Sequence, residues 1–199
     1  MLVREVMSSP AVTVQDTATV KQAVALLERH DVSAMPVVDR DGRLVGVVSE
    51  ADVIRDMVAP DDRAHEIPVR LTATPFGVQV RDVMSTHPMT VDGSTDLAVA
   101  TELMTSSAVK SLPVVEHGRV VGVVSRRDVI RVLARSDETI EAEIDELFRQ
   151  AGRDWLVEVG EGIAMIDGPA GEAERGVARA LARSVPGVVD IRFAVGRSA

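Results

Sequence analysis

A serine followed three residues later by an aspartate occurs twice, each time directly after an apolar run that crosses a glycine. The pairs are Ser49 with Asp52 and Ser125 with Asp128. If each serine lies where a strand turns into a helix, the N–H groups of the first turn are unpaired at the positive end of the helix dipole. A phosphate can bind there, and the carboxylate can accept hydrogen bonds from the two hydroxyls of a ribose. The pattern is therefore compatible with a nucleotide site.

The same spacing also fits a capping box, in which the serine and the aspartate satisfy each other and the helix start without any ligand. The motif taken alone favours the cap. A choice between the two interpretations needs the surrounding sequence.

The two motifs belong to an internal repeat. Residues 3–8 match residues 80–85 at an offset of 77, and residues 42–55 match residues 118–131 at an offset of 76. One residue is lost between these blocks, where a loop tolerates a deletion. We therefore interpret the chain as a tandem duplication with a connector and an unrelated tail. The predicted divisions are 1–58, a connector at 59–78, 79–135, and the tail at 136–199.

Each copy shows the order strand, helix, strand, strand, helix. Thr17 and Ser94 are predicted to cap the first helices, and Asp41-Gly42 predicts a hairpin between the two later strands. A unit of about 55 residues buries too little surface to be stable alone, so the two copies should pack sheet to sheet. The apolar stripe of the first helix is predicted at Val20, Ala23, Val24 and Leu27.

The tail predicts helix, two strands, helix, strand, so that the fold class is α/β (α+β) throughout. Its first helix begins at Ser136, and Glu161-Gly162 separates the two strands. The second helix covers residues 172–183, and the last strand covers residues 188–195. The apolar positions of this second helix are predicted at Val177, Ala180 and Leu181.

Composition excludes several classes of function. A net charge of −9 and 2% aromatic residues argue against nucleic-acid binding, which needs clustered cations and stacking surfaces. No apolar run approaches 18 residues, and no signal sequence is present, so we expect a cytoplasmic protein that does not span a membrane. The four histidines lack ligand spacing, and no nucleophile or acid–base set stands out. We expect no metal site and no enzymatic activity.

Both copies resemble CBS domains, named after cystathionine β-synthase, and the pair resembles a Bateman module. The resemblance rests on Val-x-x-Val-Met, the Thr-Val strand, Met-Pro-Val-Val or Leu-Pro-Val-Val, and Gly-x-Val-x-Gly-Val-Val-Ser-x-x-Asp-Val or its close variant, in that order in both copies. It implies two pseudo-symmetric units with two clefts that bind AMP, ADP or ATP, no required cofactor, and a homodimer formed through the CBS pair.

The resemblance also assigns roles to residues. The aspartates correspond to the ribose ligand, the serines to the phosphate neighbourhood, and the threonines to the cleft lining. The residues that begin the second strand of each copy correspond to the adenine wall. The implied first cleft contains Thr13, Ala34, Met35, Pro36, Ser49 and Asp52. The implied second cleft contains Thr90, Ser111, Leu112, Pro113, Ser125 and Asp128. Lys110, beside the wall, and Arg126 and Arg127, after the serine, are added to it by their position in the sequence.

The two clefts differ in charge. Arg126 and Arg127 follow the second serine, whereas Glu50 and Ala51 follow the first. A guanidinium favours phosphate and a carboxylate opposes it, so the second cleft should be the nucleotide site and the first should bind weakly or take a less anionic ligand. The alternative for the two arginines is a solvated helix face.

The tail resembles a BON domain in the spacing of Val157-Glu158-Val159, Gly162, Asp167-Gly168 and Val185-Pro186-Gly187-Val188. It departs from that pattern after Gly168. BON domains are associated with phospholipid surfaces or protein partners, and the tail has seven basic and thirteen acidic residues. Anionic headgroups repel an acidic domain, so a protein partner is favoured. The sequence therefore predicts a regulatory protein that senses an adenosine nucleotide and signals through its tail; the alternative is a scaffold without a ligand.

Overall fold

The computed structural model describes residues 1–54 and 78–194. The chain divides into two compact units, residues 2–126 and residues 127–199, and each is described separately. The predicted connector at 59–78 lies outside the described residues, except for Val78. No helix in the described ranges is long and apolar enough to cross a membrane.

The first unit contains the elements of both copies. The predicted first strand is present in the first copy, whereas the one predicted at Thr90 in the second copy is reduced to a single bridge between Val91 and Val114. In the first copy these elements are β1 (Val14–Gln15), α1 (Val20–His30), β2 (Ala34–Val38), β3 (Leu44–Ser49) and α2 (Glu50–Ile54). In the second copy they are α3 (Val80–Val83), β4 (Ser85–Thr86), α4 (Leu97–Ser106), β5 (Ser111–Glu116) and β6 (Arg119–Ser125), followed by α5 (Arg126–Leu133).

The predicted hairpins are confirmed in both copies. β2 pairs antiparallel with β3, and β5 pairs antiparallel with β6. Gly42 and Gly118 turn the two hairpins with φ of 77° each, a left-handed conformation that glycine adopts without steric cost. β2 lies against β5, so the predicted packing of the two units sheet to sheet is confirmed.

The leading segments of the two repeats are exchanged. β4, at the start of the second repeat, pairs with β3 of the first through Val47 and Ser85. Conversely, Ser8 of the first repeat exchanges two backbone hydrogen bonds with Val123 of β6, at 2.9 and 3.0 Å. Each sheet is therefore completed by a segment of the other repeat.

A glycine in each receiving strand makes room for the exchanged segment. A Cβ on Gly46 would lie 2.6 Å from Met84 Sδ and 2.8 Å from the Ser85 carbonyl. A Cβ on Gly122 would lie 2.6 Å from Met7 Sδ. These distances are shorter than van der Waals contact permits, so the close approach requires glycine.

The predicted N-caps were wrong by two residues. α1 is capped by Thr19, whose Oγ1 accepts the Gln22 N–H at 3.2 Å while Gln22 Oε1 accepts the Thr19 N–H at 2.9 Å. α4 is capped by Asp96. Ser94 instead closes the preceding turn by donating its N–H and its hydroxyl to Asp92. These bonds lower the pKa of the Asp92 carboxyl.

Three of the four residues predicted for the apolar stripe of α1 are buried in the core of the first copy. Val20, Ala23 and Leu27 are buried, but Val24 is 36% exposed. The three buried side chains pack with the inward side chains of β2 and β3, among them Val37 and Val48.

The second unit confirms the predicted order helix, two strands, helix, strand. β7 pairs antiparallel with β8, and β8 pairs parallel with β9, which gives the sheet order β7-β8-β9. The helices cover one face, where Phe148 meets Trp155 edge to face at 5.3 Å. Its elements are α6 (Asp137–Gln150), β7 (Leu156–Gly160), β8 (Ile163–Asp167), α7 (Glu172–Ser184) and β9 (Asp190–Phe193).

The predicted apolar stripe of α7 was wrong at Val177 and Ala180, which are exposed, but Leu181 packs against the core as predicted. Ala178 and Ala182 are fully buried, whereas Val177 is 43% exposed. The two alanines belong to the core cluster and allow α7 to pack closely on the sheet.

Both edges of the second sheet are capped by carboxylates. Glu141 accepts the Val159 N–H of β7 at 2.9 Å, and Asp190 accepts the Ile191 N–H of β9 at 2.8 Å. The backbone bond to Ile191 and the bond from Arg192 lower the pKa of Asp190.

We expect Gly46→Ala and Gly122→Ala each to lower the free energy of unfolding by about 1–3 kcal/mol, because the methyl group forces the exchanged segment outward. The measurement is chemical denaturation of the full chain. Gly176→Ala is the control, since nothing lies within 4 Å of its Cβ position, and alanine in an exposed helix stabilises by up to about 1 kcal/mol. Unchanged stability of both strand variants would contradict the close approach.

Candidate functional site

The residues predicted for the first cleft meet at one end of the first sheet. β1 runs parallel to β2 with Val14 opposite Val37, so Thr13 lies beside Pro36, the third residue of β2. Ala34 is directly opposite Ser49, the last residue of β3. α2 begins at the next residue and contains Asp52. The sheet order and register therefore bring together residues that are up to 39 positions apart in sequence.

The capping box predicted as the alternative is present in the first copy. The Ser49 hydroxyl donates to Asp52 Oδ2 at 2.6 Å, and the Ser49 N–H donates to the same oxygen at 2.9 Å. The Asp52 N–H returns a long bond of 3.4 Å to Ser49 Oγ. A ligand at this helix start would therefore compete with an internal hydrogen bond for both side chains.

The second copy repeats the strand geometry. Ser111 is directly opposite Ser125, and Leu112 is opposite Val124. Val91 forms a parallel bridge with Val114, and its N–H donates to the Pro113 carbonyl at 3.1 Å. Thr90 therefore lies beside Pro113, as Thr13 lies beside Pro36.

The predicted adenine wall consists largely of core residues. Met35 and Leu112 are each 1% exposed, and Pro36 and Pro113 are also buried. Ala34 and Ser111 are half-buried. At the surface of each sheet end, the wall segments therefore offer backbone groups and small side chains rather than a broad aliphatic face.

The positions that distinguish the two copies by charge are hydrogen-bonded neighbours. The Arg126 N–H donates to the Lys110 carbonyl at 3.0 Å, and the Glu50 N–H donates to the Ser33 carbonyl at 2.9 Å. These bonds tie the start of each later helix to the loop before the second strand. The structure thus brings two cationic residues together in the second copy and a carboxylate beside a serine in the first.

The Arg126 guanidinium also has a structural partner. Its Nη2 donates to the Met104 carbonyl at 2.7 Å, in the last turn of α4. A cation at a helix C-terminus interacts favourably with the helix dipole. A role in phosphate binding would therefore have to use its remaining N–H groups or a change of rotamer.

Arg127 and Asp128 belong to the second unit and are described with it. Arg127 is exposed, whereas Asp128 is 3% exposed and is the buried acidic residue of the described chain. Arg131 Nη1 lies 3.0 Å from Asp128 Oδ1, and its side chain is 65% exposed. The sequence prediction missed Arg131, although its position three residues after Asp128 on a helix could have suggested the pair.

Among the predicted residues, Thr13 also lines a shallow pocket of about 630 Å³. This pocket lies along α1 and includes Gln22 and Arg29, not Ser49 or Asp52. In residues 1–54 and 78–194, no cluster of three histidine, aspartate or glutamate side chains could hold a metal ion.

Comparison with known proteins identifies the repeated part of the chain. The sequence model of the family described as "CBS domain" matches residues 3–59 and 80–135, more than half of the chain. A protein of Methanocaldococcus jannaschii, MJ1426, is 28% identical over 154 residues, which are 67% of this chain and 91% of that protein.

The chain spans a much smaller part of some other relatives. The A-adding tRNA nucleotidyltransferase of Aquifex aeolicus is 28% identical over 138 residues, which are 69% of this chain but 15% of that enzyme. Among solved structures, CBSX2 in complex with AMP is 30% identical with a TM-score of 0.54, over 65% of this chain and 93% of that chain; CBSX2 is a CBS-pair protein of Arabidopsis thaliana.

We expect Ser49→Ala to lower the free energy of unfolding by about 1 kcal/mol, because it removes the hydroxyl from the cap of α2. Denaturant titration of the full chain measures this. Ser107→Ala is the matched control, since its hydroxyl makes only an exposed 3.5 Å contact with Met89 Sδ, and it should change stability by less than about 0.5 kcal/mol. An equal effect of both variants would mean that the cap contributes nothing specific.

Proposed function

Because the chain belongs to the family of CBS-domain proteins, we propose that it is a regulatory protein that binds AMP, ADP or ATP and catalyses no reaction itself. The CBS repeats are assigned to 1–58 and 79–135, with 59–78 as connector. The observation that carries the proposal is the convergence of the predicted threonine, wall and serine residues at one end of each sheet. Support also comes from CBSX2, a relative of 30% identity whose structure contains AMP.

The charge difference selects the site that uses Ser125 and Asp128. Arg126 and Lys110 are joined through the backbone at 3.0 Å, and Arg127 follows. Cations favour the phosphates of a nucleotide, whereas Glu50 at the matching position of the first copy opposes them. The site that uses Ser49 and Asp52 is proposed to bind more weakly or to take a less anionic ligand.

A ligand-independent scaffold is the second candidate. In its favour, Ser49 and Asp52 already satisfy each other, and Asp128 is paired with Arg131. Neither aspartate needs a ligand for its carboxylate to be hydrogen-bonded. A thermal-shift series with nucleotides separates the candidates, because specific binding raises the melting temperature with ligand concentration.

We expect Asp128→Ala to weaken AMP binding at least ten-fold and Asp52→Ala to change it less than three-fold. The reason is that a ribose loses two hydrogen bonds to a charged acceptor at the cationic site. Isothermal titration calorimetry of wild type and both variants measures this, with circular dichroism as the control for folding. Full AMP affinity in Asp128→Ala, combined with lost affinity in Asp52→Ala, would reverse the assignment.

We propose that residues 136–199 form a BON-like output domain for a protein partner. The order of α6, β7, β8, α7 and β9 supports this, as does the excess of acidic residues. A cytoplasmic location and a homodimer through the CBS pair complete the proposal. Each unit has exposed apolar side chains on a helix that follows a CBS strand, Ile54 on α2 in the first unit and Ile130 and Leu133 on α5 in the second. Exposed apolar surface favours association.

We expect no co-flotation of the protein with anionic vesicles of phosphatidylserine and phosphatidylcholine at physiological salt, because the tail carries net negative charge. Vesicles of phosphatidylcholine alone are the control. Robust flotation that depends on phosphatidylserine would replace the protein partner with a lipid surface.

A further inference from the structure

A cationic pocket lies where the two hairpin turns of the first unit meet. Its volume is about 600 Å³, and it is separate from the residues assigned to the nucleotide clefts. Its lining residues are Asp41, Arg43, His117, Gly118 and Arg119.

The backbone places the two arginines side by side. Arg43 and Arg119 form an isolated antiparallel bridge between the two hairpins. They are equivalent positions of the repeat, so the pseudo-twofold axis passes between them. Side chains directly opposite each other in an antiparallel pair lie on the same face, with Cβ atoms about 5 Å apart. Arg119 Nη1 lies 3.9 Å from the position of a Cβ on Gly42, so its guanidinium extends over the turn of the other hairpin.

Nearby carboxylates compensate these charges poorly. Arg43 Nη1 is 3.9 Å from Asp41 Oδ2, and both side chains are about three-quarters exposed. Within the described parts of the chain, no carboxylate lies within ion-pair distance of Arg119.

The other two acidic residues of the hairpins point elsewhere. Asp39 Oδ1 accepts the N–H groups of Asp41 and Arg43 and so closes its own turn. Glu116 Oε1 lies 2.6 Å from the position of a Cβ on Gly93. Neither Asp39 nor Glu116 lines the pocket.

Like charges directly opposite each other in a sheet are destabilising, and an anion between them removes that cost. A guanidinium binds a phosphoryl group through two parallel hydrogen bonds. We propose that this pocket binds a small anion with two phosphoryl groups, one for each arginine. The chemistry is that of inorganic diphosphate or of the diphosphate of a nucleotide. The proposal does not depend on nucleotide binding in the clefts.

The test is calorimetry of the full chain with inorganic diphosphate at low ionic strength. Arg43→Gln and Arg119→Gln should each weaken binding about ten-fold, because each removes one phosphoryl ligand. Arg40→Gln is the matched control: it removes the same charge from the same hairpin but faces a different pocket with Asp16 and Arg81. It should leave the affinity within two-fold. Circular dichroism melting checks that the variants are folded.

Three outcomes would overturn the proposal: no binding of diphosphate to the wild type at millimolar concentration, an equal loss of affinity in Arg40→Gln, or displacement of diphosphate by saturating AMP. The last outcome would locate diphosphate in a nucleotide cleft. The source of the anion is tested in Asp52→Ala/Asp128→Ala protein. If ADP displaces inorganic diphosphate from this double variant, the pocket binds the diphosphate of a nucleotide. If ADP does not displace it, the pocket binds the inorganic anion.

Discussion

The exchange of leading segments between the two repeats is the constraint on which the rest of the first unit depends. β3 receives Ser85 and β6 receives Ser8, and the glycines of the receiving strands allow that approach. The same two strands end at the serines of the candidate clefts. The strand that leads to each serine is therefore hydrogen-bonded to a segment of the opposite repeat.

The net negative charge of this protein hides two places where cationic residues lie next to each other. A chain of net charge −9 still places Lys110 next to Arg126 and Arg43 opposite Arg119. Because salt screens exposed charges beyond about 8–10 Å, a ligand responds to the few groups nearest to it. Net charge is a sound argument against a long polyanion such as duplex DNA, but it does not decide whether a small anion binds.

The order of elements, the hairpins and the sheet-to-sheet packing could be predicted from the sequence because each has a local signal, such as Asp41-Gly42 between apolar runs. The exchanged segments could not, since residues 3–8 and 80–85 look alike and nothing in either says which sheet it joins. The two N-caps were predicted at the wrong residues because Thr17 and Ser94 are good caps by residue type. In the structure, Ser94 is engaged by Asp92, and Thr19 forms a reciprocal capping box with Gln22. At the candidate site, the serines and threonines could be placed from their motifs. The hydrogen bond from Arg126 to the Met104 carbonyl could not be predicted, because it joins residues 22 positions apart and no sequence motif relates them.

The carboxylates at the edges of the second sheet bear on the solubility of the protein. An unpaired strand edge is a template for another strand, and natural proteins block such edges. Here the carboxylates of Glu141 and Asp190 accept hydrogen bonds from one N–H group on each edge. A strand that pairs with either edge there must break that hydrogen bond and leave a carboxylate without its partner. Because the pKa of Asp190 is lowered, its side chain stays ionised further into acid than an ordinary aspartate. As the pH falls through the usual carboxyl range, the Asp190 carboxylate therefore stays charged and continues to oppose the pairing of β9 with a strand of another molecule.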